Sequence, residues 1–264
     1  MSAPRQTILK RKTPASPKPS YTAGRSFPLG ASVVSRGVNF SIYSRSASEV
    51  ELLFFDREDD AHPSRVIRID PVLNRTYHYW HVFVENAAPG QIYGFRARGP
   101  FDPARGHRFD TSKILLDPYA KAVVVPKNYS RDAAAGDGDN TSTAMKSVVV
   151  DPSTYDWEGD SALNRSSSRT IIYEMHVRGF TADPSSGVVG KKAGTYAGLI
   201  EKIPYLQQLG ISAVELLPVF QFDPQDCPVG MVNYWGYAPV SFFAPHQAYS
   251  LRQDAMGSVD EFRD

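Results

Sequence analysis

Cysteine is nearly absent from these 264 residues, Cys227 standing alone. This excludes an internal disulfide framework and a cysteine-ligated zinc site, and it makes a reducing compartment the expectation. An excess of one charge is lacking too. Lys and Arg number 29 against 28 Asp and Glu, a formal net charge of +1, so the chain has none of the basic surplus that marks a nucleic-acid binder. Long apolar runs are also missing. The longest, around Ile211 to Phe220, is broken by Glu215 and Pro218 and falls short of the roughly 18 residues that cross a bilayer. Neither nucleic acid nor membrane is an expected partner, and the expected location is cytoplasmic. Residues 1–25 contain no acid, while they hold Arg5, Lys10, Arg11, Lys12, Lys18 and Arg25 among Pro4, Pro14, Pro17 and Pro19. Ile8-Leu9 is too short for the core of a secretory signal. A disordered basic tail is expected over 1–25.

From 26 to 125 the pattern has period two. Val38, Phe40 and Ile42 alternate with Asn39, Ser41 and Tyr43, and the runs Val50–Phe54, Val66–Ile69, Tyr79–Val84 and Ile92–Arg98 follow between turn residues. Short alternating runs of this kind predict an antiparallel β-sandwich accessory domain. Trp80 shares a face with Val82 and Val84, which predicts core packing for it, while Phe83 points the other way; Trp80, Phe83, Tyr93 and Phe95 as a ligand platform is the less favoured alternative. Residues 126–169, rich in Ala, Gly, Asp and Ser, read as an exposed linker with one short strand at Val148–Val150.

Over 170–264 the period changes again. Thr170–Val177 reads as a buried strand. Leu199, Ile203, Leu206 and Leu209 recur at helical spacing with Gly210 as a cap, and Pro204 predicts a kink or split near Ile203. Ile211–Pro218 reads as a second strand, so a right-handed crossover makes the two strands parallel. Ser258-Val259-Asp260-Glu261 matches a capping box that opens a helix.

These words are familiar in combination. Ile172–Thr181, Pro204–Ile211 and Val214–Val219, then Asn233-Tyr234-Trp235-Gly236-Tyr237 and Phe242-Phe243-Ala244-Pro245, resemble the opening of the catalytic barrel in glycogen debranching enzymes of the isoamylase type, in the α-amylase superfamily of glycoside hydrolases. Tyr93-Gly94-Phe95-Arg96, Gly99-Pro100 and Leu115–Lys121 look like the end of that family's carbohydrate-binding-module-like domain and its exit toward the barrel. The resemblance implies a multidomain β plus α/β protein, an isoamylase N-terminal-like β-sandwich followed at 170–264 by the first strands of an incomplete (β/α)8 TIM barrel. It also implies a retaining glycosidase acting on α-1,6 branch linkages of glycogen or a related branched α-glucan, without cofactor or metal.

Such chemistry needs a carboxylate nucleophile and a carboxylic acid about 5–5.5 Å apart. In the family these come from the fourth and fifth barrel strands, which this chain does not reach, and a barrel takes about 250 residues. No catalytic residue is therefore assigned. The expectation is the amino-terminal part of a longer enzyme or a truncated product, inactive alone. Alternatives are a non-catalytic glucan-binding or regulatory protein, or a branching or trehalose-forming relative. By resemblance Tyr237 lies under the sugar ring at the cleavage point, with Trp235 as a second substrate-binding candidate; Ala238 stands where many relatives carry Asn or Asp. Glu174 and Glu215 are expected to support the barrel by hydrogen bonding, His176 to donate to a neighbouring carbonyl, Asp223 and Asp226 to serve turns, and His246 to be an exposed loop residue. Ile171, Ile172, Val214 and Leu216 are expected to leave apolar surface uncovered.

Overall fold

The computed structural model describes residues 20–264. In chain order the sandwich strands are β1 (Tyr21–Thr22), β2 (Gly30–Val34), β3 (Gly37–Tyr43), β4 (Glu49–Phe55), β5 (Arg65–Ile69), β6 (Arg75–Thr76), β7 (Tyr79–Glu85) and β8 (Ile92–Arg98). A small hairpin follows, β9 (Phe101–Asp102) with β10 (His107–Arg108), then β11 (Ala122–Val124), helix α1 (Arg131–Ala135) and β12 (Lys146–Val148). One sheet has the order β1-β7-β3-β2 with β6 on β7, and the other β11-β12-β8-β4-β5; every pairing is antiparallel.

The period-two faces meet as the sequence predicts. Val38, Phe40, Trp80 and Val82 from one sheet pack on Leu52, Phe54, Tyr93 and Phe95 from the other, and the Phe40 ring lies 5.0 Å from Tyr93. Removing each aliphatic or Phe side chain of this set from water contributes roughly 1.5–3 kcal/mol. Trp80 is buried in the core, its indole N–H donating to Ser44 O at 3.1 Å. With Tyr93 and Phe95 also buried, the alternative of a ligand platform on these rings is excluded.

Two expectations are corrected. The basic tail falls outside the described residues as far as 19, but its last residues are pinned: Tyr21 and Thr22 pair with Val84 and Phe83, and the Asn39 side chain binds both Arg25 N–H and Arg25 O. The linker over 126–169 is not exposed throughout. Its β12 sits between β8 and β11, and Val148, Val149 and Val150 are buried. Their apolar run satisfies the sheet although its Ala-, Gly- and Asp-rich flanks suggest a connector.

The second part holds β13 (Ile172–Met175), α2 (Val177–Ala182), α3 (Tyr196–Glu201), α4 (Ile203–Leu209), β14 (Ala213–Leu216), β15 (Phe220–Phe222), β16 (Pro239–Pro245) and α5 (Gly257–Arg263). β13 and β14 are parallel, in register from Ile172↔Ala213 to Met175↔Leu216. This is one βαβ unit of the kind that builds an eight-stranded barrel. The helical stretch splits at Lys202, with Pro204 in the first turn of α4, where its missing N–H costs nothing. Gly210 ends α4 at φ 83°. Ile171, Ile172 and Val214 are exposed as expected, whereas Leu216 is half-buried against Phe222 and its neighbours.

Sandwich and barrel unit are fastened together. Val125 N–H donates to Gln247 Oε1 at 2.7 Å, Ser241 Oγ donates to Ala120 O, and Ala120, Val123, Met145 and Ala244 share one apolar cluster.

Candidate functional site

The loop between β15 and β16 carries Asn233 to Tyr237. Asn233 organises it: its N–H donates to Pro224 O (3.0 Å), its Nδ2 to Asp223 O (3.1 Å), and its Oδ1 accepts from Gly236 N–H (3.0 Å). Gly236 is required twice. Its φ is +79°, and a Cβ there would meet the Phe222 ring at 2.7 Å.

His176, directly after β13, forms the floor. Its Nδ1 accepts from Gly179 N–H at 3.0 Å and so caps α2. That bond places the ring proton on Nε2, which donates to Tyr234 O at 2.8 Å, with the Tyr249 hydroxyl oxygen 3.1 Å away. The Tyr234 ring stacks on the imidazole at 4.1 Å and 5°, and Trp235 meets Tyr234 edge-on at 5.3 Å. The carbonyl-bonded rim histidine expected from the sequence is thus present.

Trp235 and Tyr237 project outward, 57% and 70% exposed. Tyr234, less exposed at 39%, anchors the loop instead. Free aromatic faces on a loop locked by a buried histidine suit the apolar C–H face of a pyranose, because the ring is held in place before a sugar arrives. A cavity of about 510 Å³ lined by Phe109, Tyr129, Met145 and Val240 opens at the junction of the two parts, and Tyr237 is not among its lining residues.

Other candidates fall elsewhere. Glu174 and Glu215 are exposed, sit opposite each other in the parallel register, and make no side-chain hydrogen bond among the described residues, so the expected bracing by hydrogen bonds is absent here. Asp223 does serve a turn, accepting from Gln225 N–H, but it is also buried and receives Tyr129 Oη (2.8 Å) and Arg131 Nη1 (2.6 Å); Arg131 continues to Asp226 at 2.8 Å. Burial and Asp223 push the Tyr129 phenol upward. His246 is corrected most clearly. It is buried, its ring stacked 3.7 Å from Phe222 and nearly parallel to it, and burial and then neighbouring His176 lower its pKa to about 3. The capping box is also corrected: Ser258 lies inside α5, and Glu261 accepts from Ser250 Oγ, Leu251 N–H, Arg252 N–H and Ala197 N–H. Among the described residues no group of three or more His, Cys, Asp or Glu is disposed to hold a metal.

Residues 28–120 match the family model of carbohydrate-binding module 48, the isoamylase N-terminal domain. The matched residues hold β2 to β10. The module and the βαβ unit after it are together 41% identical to the glycogen operon protein GlgX homolog of Mycobacterium tuberculosis, over 93% of this chain and 35% of that protein. Isoamylase 1, chloroplastic, of Oryza sativa is 39% identical over 91% of the chain and 30% of its own length. The glycogen debranching enzyme of Serratia proteamaculans is 39% identical over 92% and 37%. Among solved structures the Group B Streptococcus pullulanase SAP superposes with a TM-score of 0.68 at 26% identity, covering 90% of this chain and 31% of that one. The family resemblance read from the sequence is borne out, and the chain spans about a third of the length of the curated relatives it matches.

Proposed function

We propose that this chain serves hydrolysis of α-1,6 branch linkages in glycogen, the module and its βαβ unit presenting one wall of the glucan cleft. Tyr237, with Trp235 beside it, is the stacking surface for a glucosyl unit. The observation that carries the reading is the pair of exposed aromatic faces on a loop fixed from below by His176; the names of the relatives support the substrate. The retaining double displacement needs an acid and a nucleophile, and Glu174 and Glu215 fill neither role. Binding without turnover is accordingly the property assigned to these 264 residues, in a cytoplasmic setting that suits a lone thiol.

Affinity electrophoresis through glycogen tests it. The chain is expected to be retarded by glycogen and not by laminarin, with retardation reduced by Tyr237→Ala, while no reducing ends appear. Equal mobility with and without glycogen, or an unaltered Tyr237→Ala, overturns the reading.

A further inference from the structure

Charge is shared unevenly along this nearly neutral chain. Residues 1–48 hold eight Lys and Arg and no Asp or Glu, so the remainder is net acidic. Two of these cations meet in one place. Arg25 and Arg36 line a cavity of about 430 Å³ beside β1 and β2, together with Phe27, Ser32, Ser35 and Phe83. No carboxylate is in its wall, whereas the cavity lined by residues of β4 and β5 has Glu49, Glu51 and Asp70.

Both arginines engage the fold through their backbone. Arg25 N–H donates to Asn39 Oδ1 at 2.7 Å and its carbonyl accepts from Asn39 Nδ2 at 3.0 Å, while the Arg36 carbonyl accepts from Asn86 N–H at 3.0 Å. Their guanidinium groups are exposed and have no ion-pair or hydrogen-bond partner among the described residues, and residues 1–19 contain no acid to supply one. The hydroxyls of Ser32 and Ser35 have no partner among the described residues either.

The wall is set before any ligand arrives. Asn39 clamps Arg25, Ser41 Oγ donates to Ser26 O at 2.8 Å, and Gly24 turns the chain at φ +70°, where a Cβ would meet Phe83 N at 2.6 Å. On this fastened loop Phe27 is 78% exposed. An open ring beside two unpaired guanidinium forks complements a molecule with a planar aromatic part and phosphate oxygens, since the fork matches phosphate bidentately. The volume suits a ligand of that size.

We propose that this cavity binds a nucleoside di- or triphosphate, its base on the Phe27 ring and its phosphates between Arg25 and Arg36, with the Ser32 and Ser35 hydroxyls donating to phosphate oxygens. The site is separate from the Tyr237 loop and owes nothing to the glucan reading. An inorganic anion would leave Phe27 unused, and a neutral sugar would leave both arginines unused. The cations that precede Tyr21 in sequence add long-range attraction for such an anion.

Titration of the 264-residue chain with ADP, read by calorimetry and by amide shifts, tests the site. ADP is expected to move the amides of 24–27 and 32–36, and to bind at least about tenfold more tightly than adenosine or inorganic pyrophosphate, each of which offers only part of the contacts. Arg25→Ala and Arg36→Ala should each weaken ADP about tenfold, the scale of one charge-assisted hydrogen bond. Phe27→Leu should also weaken it about tenfold, through lost base stacking. All three side chains are exposed, and unmoved amides away from the cavity verify that the variants fold. Amides of 24–36 that ignore ADP, or an Arg25→Ala/Arg36→Ala double variant that binds ADP like the parent, overturn the site. Pyrophosphate binding as tight as that of ADP, or a Phe27→Leu variant of parental affinity, overturns the nucleoside class.

Discussion

The imidazole of His176 and the ring of Tyr234 lie flat against each other, centroids 4.1 Å apart and planes 5° from parallel. The same imidazole caps α2 and binds the Tyr234 carbonyl, so one side chain couples the end of β13 to the loop bearing Tyr237. His176→Ala is expected to cost about 2 kcal/mol, a lost cap and a lost buried hydrogen bond. Hydrogen exchange at the amides of 234–237 should accelerate well beyond the global change. A loop as protected as in the parent would refute the coupling.

His246 gives the stability curve a slope. Its folded pKa of about 3 lies below the ordinary value of 6.5, so the unfolded chain takes up a proton first. This contribution is complete above about pH 6.5 and is lost as pH falls toward 3. His246→Phe keeps the stack on Phe222 and removes an unpartnered buried nitrogen. Urea midpoints for this variant should match or exceed the parent at pH 7 and fall less steeply with acid.

Asp117 acts in the opposite sense. Burial raises it to about 6, against hydrogen bonds from Tyr119 N–H and Tyr93 Oη at 2.7 Å. The unfolded carboxyl ionises near 3.8, so the folded state is penalised as pH rises from about 4 to 6, and the penalty is constant above that range. Relative to the parent, Asp117→Asn should therefore gain stability between pH 4 and 6.5, by an amount on the order of 2–3 kcal/mol. A parent-minus-variant difference that is flat over this range would exclude the assignment.

Arg131 joins the segment after β11 to the Asp223 turn across 92 residues. Removing it leaves Asp223 buried with neutral donors only, and because the guanidinium is partly exposed the expected cost of Arg131→Ala is about 1–3 kcal/mol. Arg131→Lys should recover only part of this, since a lysine cannot reach Asp223 and Asp226 at once. Full recovery by lysine would show the fork to be irrelevant.

The strands legible in the sequence are those with one face in the core: β3, β4, β7 and β8 declare themselves by alternation, and Pro204 announces the break before α4. β1 is two residues long and gives no period. The Val148–Val150 run does announce a short strand near β12, but its Ala-, Gly- and Asp-rich flanks conceal that it is buried, because that burial comes from β8 and β11. His246 reads as a loop residue since nothing nearby in sequence reveals Phe222 folding over it. The local spacing of Ser258 and Glu261 is that of a capping box, yet the backbone amides of 251–252 are better partners and win the carboxylate. At the site, Tyr237 and Trp235 are visible as aromatic words, whereas the stack that holds their loop depends on His176, almost sixty residues earlier.

One packing contact sets a timetable. Val259, on α5, lies in the same apolar cluster as Leu53, Phe55 and Val148 of the module's second sheet. That sheet consequently has an uncovered patch until a residue more than two hundred positions beyond β4 has left the ribosome. A chain cut before α5 is therefore expected to leave Leu53, Phe55 and Val148 partly uncovered.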